Sequence, residues 1–155
     1  MRIIFFGSPR EAADSLESLV AAGHDIVAVY TRPDRRAGRG RASTPTPVRV
    51  SAEHQGLPVF TPAGFRGNTG ELDRMIAADA DVFVVVAYGR ILPPEILKVP
   101  PMGVVNVHPS LLPMYRGPSP VVTAILDGQT HTGVTVMLLD EGMDTGPVLA
   151  QSPPV

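Results

Sequence analysis

The chain has 155 residues, 44% of them hydrophobic and 18% charged, with a formal net charge of −2. That length suits one domain with a real core. The absence of cysteine excludes disulfides, thiolate metal sites and a cysteine nucleophile, and the near-neutral balance gives no global pull toward nucleic acid.

No apolar segment approaches the roughly 20 residues a membrane helix needs. The start MRIIFFGSP holds too short an apolar stretch for a signal peptide. A cytoplasmic protein with no membrane partner is expected.

Residues 2–6 predict a first strand. Apolar positions Ala12, Leu16, Leu19 and Val20 lie on one face of a helix over Glu11 to Ala22, with Gly23 as its C-terminal cap. Ile26 to Tyr30 predict the second strand, and residues 32–47 a loop rich in Arg, Gly and Pro. Val48 to Gln55 suit a short helix, Leu57 to Phe60 a short strand, and Glu71 to Ala78 another helix. The run Asp81 to Ala87, apolar between its ends, fits a central strand covered on both faces. A short helix is expected after Pro93 and Pro94, then a strand at 103–107, a helix near 119–127, and strands near 132–138 and 147–151. Strands alternating with helices imply an α/β fold of three layers around a mostly parallel sheet.

Ligands of such sheets bind beyond the carboxyl ends of the strands, which directs attention to the loops after residues 6, 30, 87 and 107. The first loop, GSPREA, lacks the glycine spacing of a dinucleotide site, so a nicotinamide or flavin cofactor is not expected. The last begins NVHPSLLPMYRG, Asn106 to Gly117. A strand's two-residue period sends the Asn106 and His108 side chains to one face. Pro109 and Pro113 then rule out a regular helix or interior strand, leaving Ser110 to Tyr115 as a shaped loop able to line a pocket.

With a carboxylate from TGVTVMLLDEGMDTG, these groups suit transfer of an acyl or formyl group to an amine. An amide N–H and an imidazolium can stabilise the oxyanion that develops, typically by about 2.7–4 kcal/mol per donor. A carboxylate against an imidazole orients the ring, favours its charged form and can relay the amine's proton. Asp144 is the favoured acid because it lies between Gly142 and Gly146, where an irregular backbone can turn it back toward the strand end; Asp140 and Glu141 are the alternatives. Ser110 invites a serine-hydrolase reading, but the nucleophile-elbow context is missing. His24, His54 and His131 are scattered without metal-ligand spacing, and no metal is expected.

Through FFGSP, PDRRAGRGR with TPTPV, AYGRILP, NVHPSLLPMYRG and TGVTVMLLDEGMDTG, the chain resembles the N-terminal catalytic domain of the methionyl-tRNA formyltransferases from residue 1 to 151. The resemblance implies a Rossmann-like formyltransferase domain that binds folate. In it, 10-formyltetrahydrofolate, a cosubstrate, donates a formyl group to the α-amine of initiator methionyl-tRNA. Its catalytic residues fall on Asn106, His108 and Asp144, and its folate-binding segment on Ser110, Leu111, Leu112 and Pro113. Its pterin pocket further implies Arg90, Ile91 and Leu92 and the turn Leu139, Asp140 and Glu141. It also implies that the chain, 1–155, stops before the end of the catalytic domain and lacks the C-terminal domain that helps hold tRNA. A monomer is expected.

The Asn-x-His pair and distant Asp are shared by enzymes that formylate glycinamide ribonucleotide or amino sugars, or that deliver the formyl group to water, so they identify chemistry and not acceptor. The Arg-rich loop speaks to the acceptor. Arg32, Arg35, Arg36, Arg39 and Arg41 accompany one acid, Asp34. Arg35, Arg36, Arg39 and Arg41 are expected to meet the phosphates of the tRNA acceptor arm. The chain departs from the family's usual pattern at Arg36, Met114, Pro118, Ser119 and Thr123. Another folate-dependent formyl enzyme and an inactive folate- or RNA-binding fragment remain the alternative readings.

Overall fold

The computed structural model describes residues 1–37 and 42–155. Its elements begin with β1 (Arg2–Gly7), α1 (Arg10–Ala21), β2 (Asp25–Tyr30), β3 (Arg35–Ala37), β4 (Ala42–Thr44), α2 (Pro47–His54) and β5 (Val59–Phe60). They continue with α3 (Thr69–Ala77), β6 (Val82–Val86), α4 (Pro94–Leu97), β7 (Val104–His108), α5 (Pro120–Leu126), β8 (Thr135–Leu138) and β9 (Val148–Gln151).

Among the described residues, seven strands form one sheet in the order β5-β2-β1-β6-β7-β8-β9. The pairings from β5 to β7 are parallel, and those of β7 with β8 and β8 with β9 are antiparallel. The mostly parallel α/β architecture read from the sequence is therefore the observed one.

Strand β1 sits centrally because Ile3, Ile4, Phe5 and Phe6 place apolar groups on both faces, each at most 1% exposed. Ile3 and Phe5 join Val82 and Val86 against Ala12, Ala13 and Leu16 of α1 and Val48 and Ala52 of α2. Ile4 and Phe6 join Phe83, Val85 and Val104 against Met75 of α3 and Ile96 of α4. Strand β6 alternates the same way, as a central strand must when both faces are covered.

Helix starts follow local chemistry. The Thr46 and Asn68 side chains accept the backbone N–H of Arg49 and Glu71, capping α2 and α3. The chain leaves α1 through Gly23 at φ +80°, as the sequence led one to expect.

The segment 32–47 differs from the expectation of plain loop. Strands β3 and β4 pair with each other as a separate antiparallel ribbon, Arg35 opposite Thr44 and Arg36 opposite Ser43. A ribbon outside the core needs no alternating apolar pattern, so hydrophobic periodicity gave no sign of it. Arg35 and Arg36 lie on this ribbon, whereas Arg39 and Arg41 fall outside the described residues.

Phe6 organises the face that carries the site. Its ring stacks on Tyr30 at 5.0 Å between centroids and meets Phe83 at 5.6 Å and Tyr88 at 5.5 Å. Tyr88 is 1% exposed, and its hydroxyl has no hydrogen-bond partner among the described residues; burial pushes the phenol up to about 12. Truncating Phe6 to Ala should cost about 3–5 kcal/mol of stability, read by urea or thermal denaturation. Tyr88→Phe, which removes only an unpaired hydroxyl, should leave stability within about 1 kcal/mol of the parent or raise it.

Candidate active site

Val104, Asn106 and His108 share one face of β7, and Val104 belongs to the cluster around Phe6. The strand's last two residues on that face thus emerge where the apolar layer ends. They open into a cavity of about 930 Å³. Val85 and Asn106 come from the parallel strands, Ala87, Ile91, Leu92 and Leu97 from the chain after β6, and Leu139 to Asp144 from the chain after β8. Pro9, Arg32, Gly89, His108 and Gly117 also line it, from segments that follow β1, β2, β6 and β7 or end β7.

The imidazole of His108 is 5% exposed. Its Nε2 donates to the carbonyl oxygen of Tyr115 at 2.9 Å, which anchors the ring to the loop that follows it. Nδ1 stands 3.7 Å from Asp144 Oδ2, an attractive pairing when the ring is protonated and too long for a hydrogen bond, so this nitrogen keeps its capacity for another partner. The same Asp144 oxygen accepts the backbone N–H of Gly117 at 2.8 Å.

Asp144 reaches inward through its own backbone, at φ +52°. The sequence suggested that the flanking glycines would supply the irregular turn. Instead they give room. A Cβ on Gly142 would collide with the Thr145 hydroxyl, and one on Gly146 with the Leu138 carbonyl. The alternative acids are placed differently: Asp140 Oδ1 accepts from Gly142 N–H and the Thr145 hydroxyl within its own turn, and Glu141 is exposed at the cavity wall.

Among the described residues, the non-glycine positions at positive φ are Asp79, Ala87, Tyr115 and Asp144. Ala87 and Asp144 line the cavity, and Tyr115 supplies the carbonyl that holds His108. Each such residue costs about 1–2 kcal/mol, and strain of this kind concentrates at functional sites.

Of the residues suggested for folate, Arg90, Ile91, Leu92, Leu139, Asp140 and Glu141 line the cavity. The Arg90 guanidinium turns away to the carbonyls of Pro62 and Ala63, bracing the wall. Ser110, Leu111, Leu112 and Pro113, which the resemblance implied for folate, do not line this cavity. Ser110 is fully buried and its hydroxyl donates to Met114 O. Thr135 Oγ1 donates to Ser110 O at 2.6 Å and accepts Leu112 N–H, while Gln151 Nε2 donates to Leu112 O. The buried polar backbone of this loop had to be satisfied, and strands β8 and β9 do so from behind.

Sequence reasoning missed Tyr115 and Gly117 as supports, Arg32 as a cavity residue, and the contributions of Ala87, Leu97 and Met143. The glycine of the Tyr-Arg-Gly stretch offered a signal, and Arg32 and Ala87 lie at the strand ends that the sheet rule had singled out. Among the described residues, no group of three or more His, Cys, Asp and Glu could hold a metal ion, and no helix is long and apolar enough to cross a membrane.

The family profile described as formyl transferase matches residues 1–154. A methionyl-tRNA formyltransferase of Chloroflexus aurantiacus is 55% identical over 152 residues, covering 98% of this chain and 49% of that protein. One of Novosphingobium aromaticivorans is 53% identical over 151 residues, covering 97% and 50%. The chain spans about half the length of these curated relatives. A phosphoribosylglycinamide formyltransferase of Bacillus halodurans, known from its crystal structure, superposes with a TM-score of 0.81 at 25% identity, over 100% of this chain and 79% of its own.

Gly117→Ala tests the support of Asp144. At φ +98° a side chain is strained, and the added methyl would sit 3.6 Å from Met143 Sδ. The substitution should cost about 1–2 kcal/mol in thermal denaturation. It should also raise amide exchange in residues 140–146 relative to the parent.

Proposed function

Because the chain belongs to the formyl transferase family, we propose that it moves the formyl group of 10-formyltetrahydrofolate to the α-amine of initiator methionyl-tRNA, in the cytoplasm and as a monomer. The observation that carries the reading is the convergence of Asn106, His108 and Asp144 on one cavity. Support for the acceptor comes from relatives above 50% identity that bear that name.

In this reading the apolar wall of Leu92, Leu97 and Leu139 receives the pterin, and the formyl carbon lies beside Asn106 and His108. The amine attacks it, forming the new C–N bond. The Asn106 carboxamide and the Nδ1–H of the His108 imidazolium donate hydrogen bonds to the carbonyl oxygen as it becomes negative, a contribution of about 2.7–4 kcal/mol per donor. Asp144 accepts the proton that the amine loses and sends it toward the folate nitrogen as the old C–N bond breaks. Ser110 to Pro113 act from behind, fixing the loop that positions His108. Arg35, Arg36, Arg39 and Arg41 meet the phosphates of the acceptor arm.

The deciding experiment is formyl transfer from 10-formyltetrahydrofolate to charged initiator tRNA, measured beside formate release without acceptor. Transfer with little free formate supports the reading; formate release alone would identify a hydrolase. Asn106→Ala, His108→Ala and Asp144→Ala should each lower turnover about a hundredfold or more with the circular dichroism spectrum unchanged. Full turnover in all three would refute the assignment.

A further inference from the structure

Arg32 follows β2 at the mouth of the cavity, and its backbone N–H donates to Ser8 Oγ at 3.4 Å, on the loop after β1. Its guanidinium rests against Gly89, where an added Cβ would lie 3.3 Å from Nη1 and 3.5 Å from Cζ. The Nε is buried and has no hydrogen-bond partner among the described residues.

A charged donor withdrawn from water without an acceptor is costly, so a fold that keeps one at the wall of an open cavity is short of an anion. Its neighbour in sequence does not provide one. Asp34 Oδ2 is bound to Arg49 Nη1 at 2.9 Å, and its Oδ1, also buried, reaches no donor among the described residues. The other arginine of the lining, Arg90, is committed to the carbonyls of Pro62 and Ala63. Asp140, Glu141 and Asp144 enter from the far side, on the chain after β8. The cavity is thus cationic at its β2 end and acidic at its β8 end.

We propose that Arg32 is a positioning residue that takes a phosphate of the acceptor, holding a phosphorylated nucleoside that carries an aminoacyl group so that its amine meets Asn106, His108 and Asp144. The inference rests on the formyl-transfer reading of the same cavity. Strand order sets the scale: β2 and β7 are separated by β1 and β6. Three strand steps of about 4.8 Å place Arg32 roughly 14 Å from His108 along the sheet edge. That separation suits an aminoacyl nucleotide and exceeds a free amino acid. A guanidinium also offers the paired donors that phosphate oxygens prefer. The chain runs on from Arg32 to Arg35, Arg36, Arg39 and Arg41, which favours a phosphate of the acceptor over the carboxylates of the folate.

The test uses a stable acceptor mimic, 3′-methionylamido-3′-deoxyadenosine, with and without a 5′-phosphate, titrated calorimetrically into the 155-residue chain. The parent should favour the phosphorylated form by about tenfold or more. Arg32→Ala should abolish that preference, Arg32→Lys should keep part of it, and neither should change affinity for the unphosphorylated form or for 10-formyltetrahydrofolate. A parent without the preference, an Arg32→Ala variant that retains it, or one that loses folate affinity instead would overturn the proposal. An Arg32-dependent phosphate preference without formyl transfer would count against the activity alone. Transfer with no role for Arg32 in phosphate binding would count against this proposal alone.

Discussion

A short stretch of backbone, Tyr115 to Gly117, holds the candidate site together. The Tyr115 carbonyl receives the imidazole of His108 and the Gly117 N–H meets the carboxylate of Asp144, so one loop sets the position of two groups that come from different parts of the chain. Backbone groups are well suited to this task because they cannot rotate away as a long side chain can. The left-handed conformation of Tyr115 follows from the arrangement, since its carbonyl must point back toward the strand it has just left.

The cavity itself follows from strand direction. β8 runs antiparallel to β7, with Thr135 opposite His108 and Leu138 opposite Val105, so β8 ends near the beginning of β7. The next residues must therefore return along the sheet face before Asp144 can reach His108. That return, through Leu139 to Asp144, forms one wall, and the chain after β6 forms the other. A parallel β8 would have delivered the acid directly to the strand end and left no such space between them.

Support from behind is the counterpart of this open front. Thr135 and Gln151 satisfy the backbone of Ser110 and Leu112, so the proline-rich loop is held by the antiparallel edge of the sheet. Ser110 is buried under the site, and its hydroxyl donates to the Met114 carbonyl on the path from His108 to Tyr115.

The run Ile3 to Phe6, the apolar Val82 to Val86 and the Asn-x-His ending of β7 declared the layered sheet and the shared face of Asn106 and His108 before any coordinates. The reason is local: a two-residue period and the need to bury apolar groups act within a few neighbouring residues. Contacts across long separations in the chain were decided elsewhere. The placement of Asp144 against the imidazole, the burial of Ser110 and the arrival of Arg32 beside Gly89 depend on strand direction and on left-handed turns at Ala87, Tyr115 and Asp144. Alanine and tyrosine carry no letter-code sign of such turns, because only the packed surroundings stabilise them, whereas aspartate between two glycines carried a partial one.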